Sequence, residues 1–246
     1  MEQVVTFLSQ GQVIFANLSL PFAGSPCVIM SHGMEGSKDG KKWLLLASRL
    51  YQLGFSYLRF NYRGCGEGSE TSDGKFEDTT LSGRIQDYRA AIDFVNSNAV
   101  DSNRLAVVGS SLGGMVAIAA HDVRIKAMVT LATPCRLKTP SDDQFKVYKN
   151  GRFLKLYSGR RLKRRFFTDI KNYNLSSAVG KIGCPILIIH GSADEFVPLE
   201  DAHCLYEKAK EPKRLEIIKG GSHGFDESKH LEQVISLTLD WLKQYL

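Results

Sequence analysis

The sequence lacks several features that would assign it to a special class of protein. It has no C-x-x-C pair, and its five cysteines are odd in number and scattered, which is typical of reduced thiols in a cytoplasmic protein. No apolar run approaches the roughly 20 residues of a membrane-spanning helix, and the first residues lack the basic stretch and apolar core of a signal peptide. Repeats and low-complexity tracts are also missing. We therefore expect a cytoplasmic globular protein without stable membrane association.

Length and charge describe an ordinary globular chain with one unusual stretch. With 246 residues, 43% of them apolar and 24% charged, the chain suffices for one large α/β domain or, less easily, for two small ones. The net charge of +6 is unevenly distributed, because residues 135–184 hold 13 Lys and Arg against 3 Asp and Glu. This segment carries a balance of +10, and the rest of the chain carries −4.

Short apolar runs alternate with helix-like stretches along most of the chain. We predict a hairpin over 3–20 with its turn at 10–11, and strands at 25–33, 55–62, 105–109, 125–133, 186–190 and 214–218. Helices are predicted at 41–53, 79–98, from 111 onward, at 199–210 and at 228–245. This alternation is typical of a mostly parallel sheet with helices on both faces. Residues 135–184 break it, so we predict an α/β core of 1–134 and 185–246 with a basic cap inserted at 135–184.

A glycine-flanked serine stands where a predicted strand turns into a helix. Residues 109–113 read GSSLG and fit the G-x-S-x-G pattern of a nucleophile elbow, which makes Ser111 the candidate nucleophile. A sharp strand-to-helix turn strains the central residue, and it leaves no space for a Cβ two positions to either side. The alternative is a glycine-rich turn that only cradles a phosphate group.

A serine nucleophile needs a base, and the base needs a carboxylate that orients it. His223 follows the last predicted strand between glycines, and Asp194 follows the strand before it. Both therefore lie at the carboxyl edge of the sheet, where ligands of such sheets bind. Glu195 and Asp201 are competitors for the carboxylate, and a solvent-exposed turn is the alternative for the histidine.

Backbone N–H groups are the expected donors to an oxyanion. The strand predicted at 25–33 ends in a turn whose backbone N–H at Met34 is one candidate, and the N–H of Leu112 at the start of the elbow helix is the other. We expect His32 to orient this turn by hydrogen bonds rather than to exchange protons.

Five segments in order resemble the α/β-hydrolase superfamily: residues 32–34 (HGM), 61–69 (NYRGCGEGS), 109–113, 191–194 (GSAD) and 222–225 (SHGF). Within it, the chain is similar to the small esterase and serine-aminopeptidase-like branch that includes bacterial cinnamoyl (feruloyl) esterases. The resemblance implies an eight-stranded sheet, a Ser-His-Asp triad, no cofactor or metal, and a cap after the sixth strand. His190 recurs in the superfamily at the end of a strand, and we expect it to be structural; we also expect Arg63 and Glu67 to have a structural role in the glycine-rich loop. Ser110 departs from the pattern, since the superfamily often has histidine or a bulkier residue there.

The basic cap allows three interpretations. In the first, Phe153, Leu156, Phe166 and Phe167 pack onto the sheet and the charges face solvent. In the second, some arginines of 157–167 face the cleft and attract an anionic substrate. In the third, the patch docks on nucleic acid or an anionic membrane, although no nucleic-acid motif accompanies it, so we expect no nucleic-acid partner.

The sequence therefore predicts a serine hydrolase that cleaves carboxylic esters of small to medium size through an acyl-enzyme on Ser111. A thioesterase or a peptidase on the same triad remains an alternative. So does a non-catalytic protein on the same frame that binds a ligand or partner through the basic cap.

Overall fold

A computed structural model of the protein describes residues 2–98, 100–137, 139–148 and 151–246. Two lysines of the predicted basic cap, Lys138 and Lys149, lie outside the described residues. Eight strands form one sheet: β1 Glu2–Ser9, β2 Gln12–Ser19, β3 Ser25–Ser31, β4 Ser56–Phe60, β5 Val100–Ser110, β6 Ile125–Leu131, β10 Ile186–Gly191 and β11 Lys213–Ile218.

The sheet is mostly parallel, as predicted. Its strand order is β1-β2-β4-β3-β5-β6-β10-β11, and β2 alone runs antiparallel to its two neighbours. β1 and β2 form the predicted hairpin, whose two turn residues, Gln10 and Gly11, both have positive φ, 51° and 78°, as a type I′ turn requires. The carboxyl ends of β3, β5, β6, β10 and β11 meet at one edge, so the loops that follow them share one side of the molecule.

Helices cover both faces of the sheet. The structure has α1 Lys41–Gln52, α2 Leu81–Asn96, α3 Leu112–Ala120, α4 Arg164–Ile170, α5 Leu175–Val179, α6 Leu199–Lys208 and α7 Ser228–Tyr245. Alternate residues of the central strands point to opposite faces: Ile29 packs with α2, α3 and α6, whereas Val28 packs with α1 and α7. Strands buried on both faces read as continuous apolar runs, which is why β3, β5 and β6 were recognisable in the sequence.

The segment 135–184 contains a small second sheet and two short helices. β7 Lys146–Tyr148, β8 Gly151–Lys155 and β9 Arg161–Lys163 pair antiparallel, and α4 and α5 follow. Phe166 and Phe167 are buried in the same core as α2 and α3, and Phe153 is also buried. The aromatic side chains of this segment are thus buried, as the first interpretation of the segment expects.

Four cationic side chains of this segment, those of Arg160, Arg161, Lys163 and Arg165, contact residues 76–78 of the core. The acidic turn, residues 76–78, receives several of them: Lys163 Nζ lies 2.7 Å from Asp78 Oδ1, and Arg161 Nη2 lies 3.6 Å from Glu77 Oε2. Arg160 stacks on the Phe76 ring, 3.4 Å from the ring centroid. These contacts hold the segment against the core. They involve charged residues that the second interpretation assigned to binding an anionic substrate.

The cysteines correct one expectation. Cys135, just after β6, forms a disulfide with Cys204 of α6, with Cα atoms 6.3 Å apart, whereas Cys27, Cys65 and Cys184 are free thiols. The expectation of five reduced thiols is therefore wrong for this pair. The two positions are 69 residues apart, and they meet only because β6 pairs with β10 and α6 folds back after β10, so cysteine spacing alone gave no sign of the contact.

Candidate active site

Ser111 occupies a sharp turn between β5 and α3. Its φ of 53° and ψ of −120° lie outside the regions that side-chain-bearing residues usually adopt, so the backbone here stores strain. The neighbouring glycines permit the turn: a Cβ on Gly109 would lie 2.7 Å from Gly114 Cα, and a Cβ on Gly113 would overlap the carbonyl oxygen of Ser31. The strand–turn–helix geometry predicted for residues 109–113 is present.

Four of the five predicted site residues border one cavity of about 580 Å³ at the carboxyl edge of the sheet. Ser111, Leu112, Met34 and His223 all line it. Each comes from the loop that follows a different part of the sheet: β3 precedes Met34, β5 precedes the serine, and β11 precedes the histidine. No hydrogen bond between Ser111 and His223 occurs among the described residues, although both side chains border the same space.

His223 and Asp194 are directly joined. The ring Nδ1 of His223 lies 2.8 Å from Asp194 Oδ2, and the aspartate side chain is 1% exposed. The other carboxylate oxygen accepts hydrogen bonds from the backbone N–H groups of Phe196 and Val197, at 2.9 and 2.8 Å. Burial alone would raise the pKa of Asp194, but the hydrogen bonds from His223 and the two amides outweigh it and lower the pKa. The ionised carboxylate therefore accepts the Nδ1 proton and leaves Nε2 free to act as a base.

The competitors of Asp194 have other contacts. Glu195 accepts a hydrogen bond from the backbone N–H of His223, at 3.2 Å. Asp201 lies on α6, and burial raises its pKa. His190 is fully buried, with Nε2 2.9 Å from the carbonyl oxygen of Val197. This contact supports the loop that carries Asp194, which agrees with the structural role expected for His190.

Buried side chains hydrogen-bond to the turn after β3, and one of them, Arg84, was not among the predicted site residues. His32 is buried; its Nε2 accepts a hydrogen bond from the N–H of Tyr62, and its Nδ1 donates to the carbonyl oxygen of Gly33. Burial and the nearby Arg84 lower the pKa of His32 to about 3, so the ring is neutral, and it orients the turn as expected. Arg84 of α2, fully buried, donates to the carbonyl oxygens of Gly33 and Met34 at 3.1 and 3.0 Å.

Arg84 thereby fixes the orientation of the peptide groups on either side of Met34. Its guanidinium also lies 4.6 Å from the centroid of the Tyr62 ring. The sequence carried a signal for this role, since Arg84 falls on the apolar face of α2 with Leu81 and Tyr88. A charged residue on such a face must find buried partners.

The rest of the cavity is largely apolar. One wall comes from Met115, Pro134, Phe196 and two residues of the 135–184 segment, Leu137 and Leu156. Another wall comes from the start of α1 and from the region before and within α7, including Lys42, Trp43, Phe225 and Leu231. The ring of Phe196 packs against that of His223, with centroids 5.3 Å apart. These lining residues come from scattered parts of the chain that periodicity does not connect.

Two further observations concern ligands and membranes. In the described part of the chain, no group of three or more His, Cys, Asp or Glu side chains is arranged to hold a metal ion. None of the helices in the same part combines the length and the apolar character needed to cross a bilayer.

Sequence comparison places the chain among known relatives. The model of the prolyl oligopeptidase family matches residues 41–246. The uncharacterised protein YfhR of Salmonella typhi is 33% identical over 200 residues, which cover 80% of this chain and 63% of YfhR. The uncharacterised protein Rv2307c of Mycobacterium tuberculosis is 30% identical over 199 residues, which cover 80% of this chain and 63% of Rv2307c. The chain thus spans less than two thirds of the length of these curated relatives.

Solved structures show the same fold. Est1E from Butyrivibrio proteoclasticus, solved with ferulic acid bound, has a TM-score of 0.83 at 24% identity, over 97% of this chain and 99% of Est1E. The alpha/beta hydrolase domain-containing protein 10 from mouse has a TM-score of 0.79 at 20% identity, over 98% of this chain and 99% of its own. The predicted α/β-hydrolase fold is confirmed, and the chain belongs to the prolyl oligopeptidase family.

Proposed function

We propose that the protein is a serine hydrolase that cleaves carboxylic esters of small to medium size through an acyl-enzyme on Ser111. The observation that carries this proposal is the hydrogen bond of 2.8 Å from His223 to the buried Asp194, on the border of the cavity that Ser111 also lines. A strained serine, an oriented imidazole and a buried carboxylate at one sheet edge are the parts that acyl transfer needs.

In the proposed reaction, Ser111 Oγ attacks the acyl carbon while His223 Nε2 takes the hydroxyl proton. The carbonyl oxygen becomes an oxyanion, which the N–H groups of Met34 and Leu112 bind. The C–O bond to the alcohol then breaks, and the histidine returns the proton to the leaving alkoxide. Water attacks the acyl-enzyme by the same route, giving the carboxylic acid and free serine, while Asp194 stabilises the imidazolium in both steps.

The size and lining of the cavity support a compact apolar substrate. A volume of about 580 Å³ is in the usual range for a small-molecule site, and Leu137, Leu156, Met115 and Phe196 offer apolar contact to an acyl or alcohol chain. Est1E, which has the same fold, binds ferulic acid. Esters of aromatic acids are therefore included in the substrate range that we propose.

Peptide hydrolysis is the second candidate, favoured by the family to which residues 41–246 belong. Thioester hydrolysis uses the same groups. A third possibility, a binding protein that uses the cationic 135–184 segment without catalysis, loses some support because Arg161, Lys163 and Arg165 of that segment already pair with the acidic turn.

The experiment that tests the proposal combines covalent labelling with a substrate panel. A fluorophosphonate probe should label wild-type protein at Ser111, and p-nitrophenyl esters of acetate to octanoate, a feruloyl ester, an acyl thioester and an aminoacyl anilide should be compared by kcat/KM. We expect the esters to be the best substrates.

Two variants complete the test. Ser111→Ala should lose labelling and lower kcat by roughly 10³-fold or more while it stays folded. Ser97→Ala, an exposed serine at the end of α2, is the matched control and should behave as wild type. Unchanged ester turnover in a pure preparation of Ser111→Ala would refute the assignment, and a preference for the anilide would favour the peptidase.

A further inference from the structure

The residue that precedes Ser111 is a second serine, and its side chain has a cationic partner. Ser110 is the last residue of β5 and is 5% exposed. Its Oγ accepts a hydrogen bond from Lys42 Nζ, at 3.1 Å. Both residues line the cavity beside Ser111. A bulkier residue at position 110, as the superfamily pattern often has, would compete for the space that this ammonium group occupies.

Lys42 has an unusual environment for a lysine. It is half-buried on the first turn of α1, and its Nζ lies 5.7 Å from the centroid of the Phe225 ring. Within the described ranges, no carboxylate lies within ion-pairing distance of this nitrogen. Burial lowers the pKa of Lys42 to about 8, against the attraction of Asp226 and Asp194. A partly desolvated charge without an ion-pair partner is costly, so the position of this lysine beside the cavity points to a function.

An ammonium group has three N–H donors. Ser110 takes one of those of Lys42, which leaves donors for a group in the cavity. On the basis of the proposed function, we propose that Lys42 and Ser110 form a subsite for a carboxylate, and that the preferred substrates are esters bearing a second, ionised carboxyl group. The Ser110 hydroxyl, which accepts from the lysine, has its own proton to donate to the same carboxylate.

The position of the subsite limits the length of such a substrate. Ser110 and Ser111 are adjacent, with Cα atoms about 3.8 Å apart, and both border the cavity, so we expect a small separation between a carboxylate held at Ser110 and an acyl carbon held at Ser111. Monoesters of short dicarboxylic acids fit this separation. The apolar surface of the rest of the cavity would then contact the other half of the ester.

The kinetic test compares esters that differ only in the charged group. 4-Nitrophenyl hydrogen succinate is paired with 4-nitrophenyl 4-methylpentanoate, in which two methyl groups replace the two carboxylate oxygens, and the hydrogen glutarate is paired with the 5-methylhexanoate. The ratio of kcat/KM within each pair, called the carboxylate ratio, is measured for each protein. The intrinsic reactivity of each ester cancels when ratios are compared between variants.

Lys42→Met should lower the carboxylate ratio at least about tenfold, since it removes a charge-assisted hydrogen bond; any effect of the substitution that the two esters share cancels in the ratio. Ser110→Ala should lower the ratio less, because the lysine remains. Lys243→Met, an exposed lysine near the end of α7, is the matched control and should keep the wild-type ratio. Lys41→Met tests the exposed neighbour: loss of the ratio there, and not in Lys42→Met, overturns the assignment.

A pH series on the wild-type protein needs no variant. The ratio should fall as pH rises through about 8, where Lys42 loses its proton. The other titratable groups around this lysine are Asp226, Asp194, Glu35, Lys41 and His223. Because each ratio compares two esters on the same protein, an effect of pH on the reaction itself is shared by both esters, and the same series on Lys41→Met separates the contribution of the neighbouring lysine.

The outcomes separate this inference from the proposed function. If Ser111 labels and the neutral esters are hydrolysed, but the ratio stays constant between about pH 6.5 and 9.5 or survives in Lys42→Met, the carboxylate subsite is refuted and the hydrolase stands. If wild-type protein neither labels nor hydrolyses any ester, the proposed function itself fails.

Discussion

Replacing Arg84 by methionine tests whether a buried cation positions the proposed oxyanion donor, the backbone N–H of Met34. Methionine keeps much of the aliphatic stem but removes the two hydrogen bonds to the carbonyl oxygens of Gly33 and Met34, 3.1 and 3.0 Å long. Without them, the peptide groups around Met34 are free to rotate. We expect the N–H of Met34 to be displaced from the position that the reaction needs.

The expected losses of folding stability and of kcat in Arg84→Met follow from two separate contributions. Hydrogen bonds to a charged group contribute about 1.5–3 kcal/mol each to folding, so losing both should destabilise the protein by roughly 3 kcal/mol or more. Misplacing one oxyanion donor costs about 2.7–4 kcal/mol in the transition state, which is a fall of roughly 10²–10³-fold in kcat. Since the donor acts mainly in the transition state, KM should change much less than kcat.

The control is chosen to separate catalysis from stability. Ile85 lies beside Arg84 on α2, is 4% exposed and packs in the core. Ile85→Ala should destabilise the protein by a similar 2–5 kcal/mol without touching the turn after β3. Arg84→Lys retains the charge with a single donor group and should fall between wild type and Arg84→Met.

The assay expresses kcat per active site, counted by fluorophosphonate labelling, with urea unfolding measured in parallel. We expect Ile85→Ala to keep kcat within about twofold of wild type, whereas Arg84→Met should lower kcat by roughly 10²–10³-fold. If Arg84→Met is folded and keeps a wild-type kcat per labelled site, the positioning role of this residue is wrong.

Three further predictions concern the triad, the 135–184 segment and the turn. Asp194→Asn should lower kcat by roughly 10³–10⁴-fold with little change in KM, because the histidine loses its preferred tautomer; steady-state kinetics check this. Lys163 lowers the pKa of Asp78 from its ordinary value of 3.8, so that pair stabilises the fold above this pH and is lost as the pH falls further. Asp78→Asn should therefore lower the free energy of unfolding by no more than about 1 kcal/mol at pH 7, with the difference vanishing in acid titrations of Tm. Gly113→Ala would press a methyl group onto the carbonyl oxygen of Ser31, and calorimetry should show a Tm lowered by about 10 °C or more, or no folded protein.

Much of the fold followed from the sequence because local signals and global structure agree. The final helix, predicted at 228–245, has those bounds in the structure, since its apolar stripe and its position after a strand point the same way. The predicted strand at 25–33 ends earlier, at Ser31, because its last residues turn toward Met34. The candidate triad could be proposed because each member directly follows a strand, and parallel strands bring such positions to one edge.

The sequence did not predict contacts that a single side chain makes with a residue of another helix or strand. Lys42 stands beside another lysine at the start of α1 and reads as part of a solvated helix end. Its contact with Ser110 depends on how α1 packs beside β5, which no local pattern encodes. The disulfide between Cys135 and Cys204 is of the same kind. Arg84 was detectable in the sequence as a charged residue on the apolar face of a helix. Charged residues in such positions are good first candidates for buried functional contacts.

The buried cations around the turn after β3 divide into two groups by their partners. Lys38 pairs with Asp39 and Glu70, and Arg59 pairs with Glu2 and Asp39, so their charges are compensated and their role is to join loops. In the part of the chain that the structure describes, Arg84 and Lys42 instead meet neutral oxygens, of peptide groups and of a hydroxyl. Neither cation makes an ion pair with a carboxylate among these residues, although Asp226 and Asp194 attract Lys42 at longer range. Preorganised positive charge of this kind stabilises negative charge that appears only in the reaction or arrives with the substrate, which is the reason to test these two residues together with the triad.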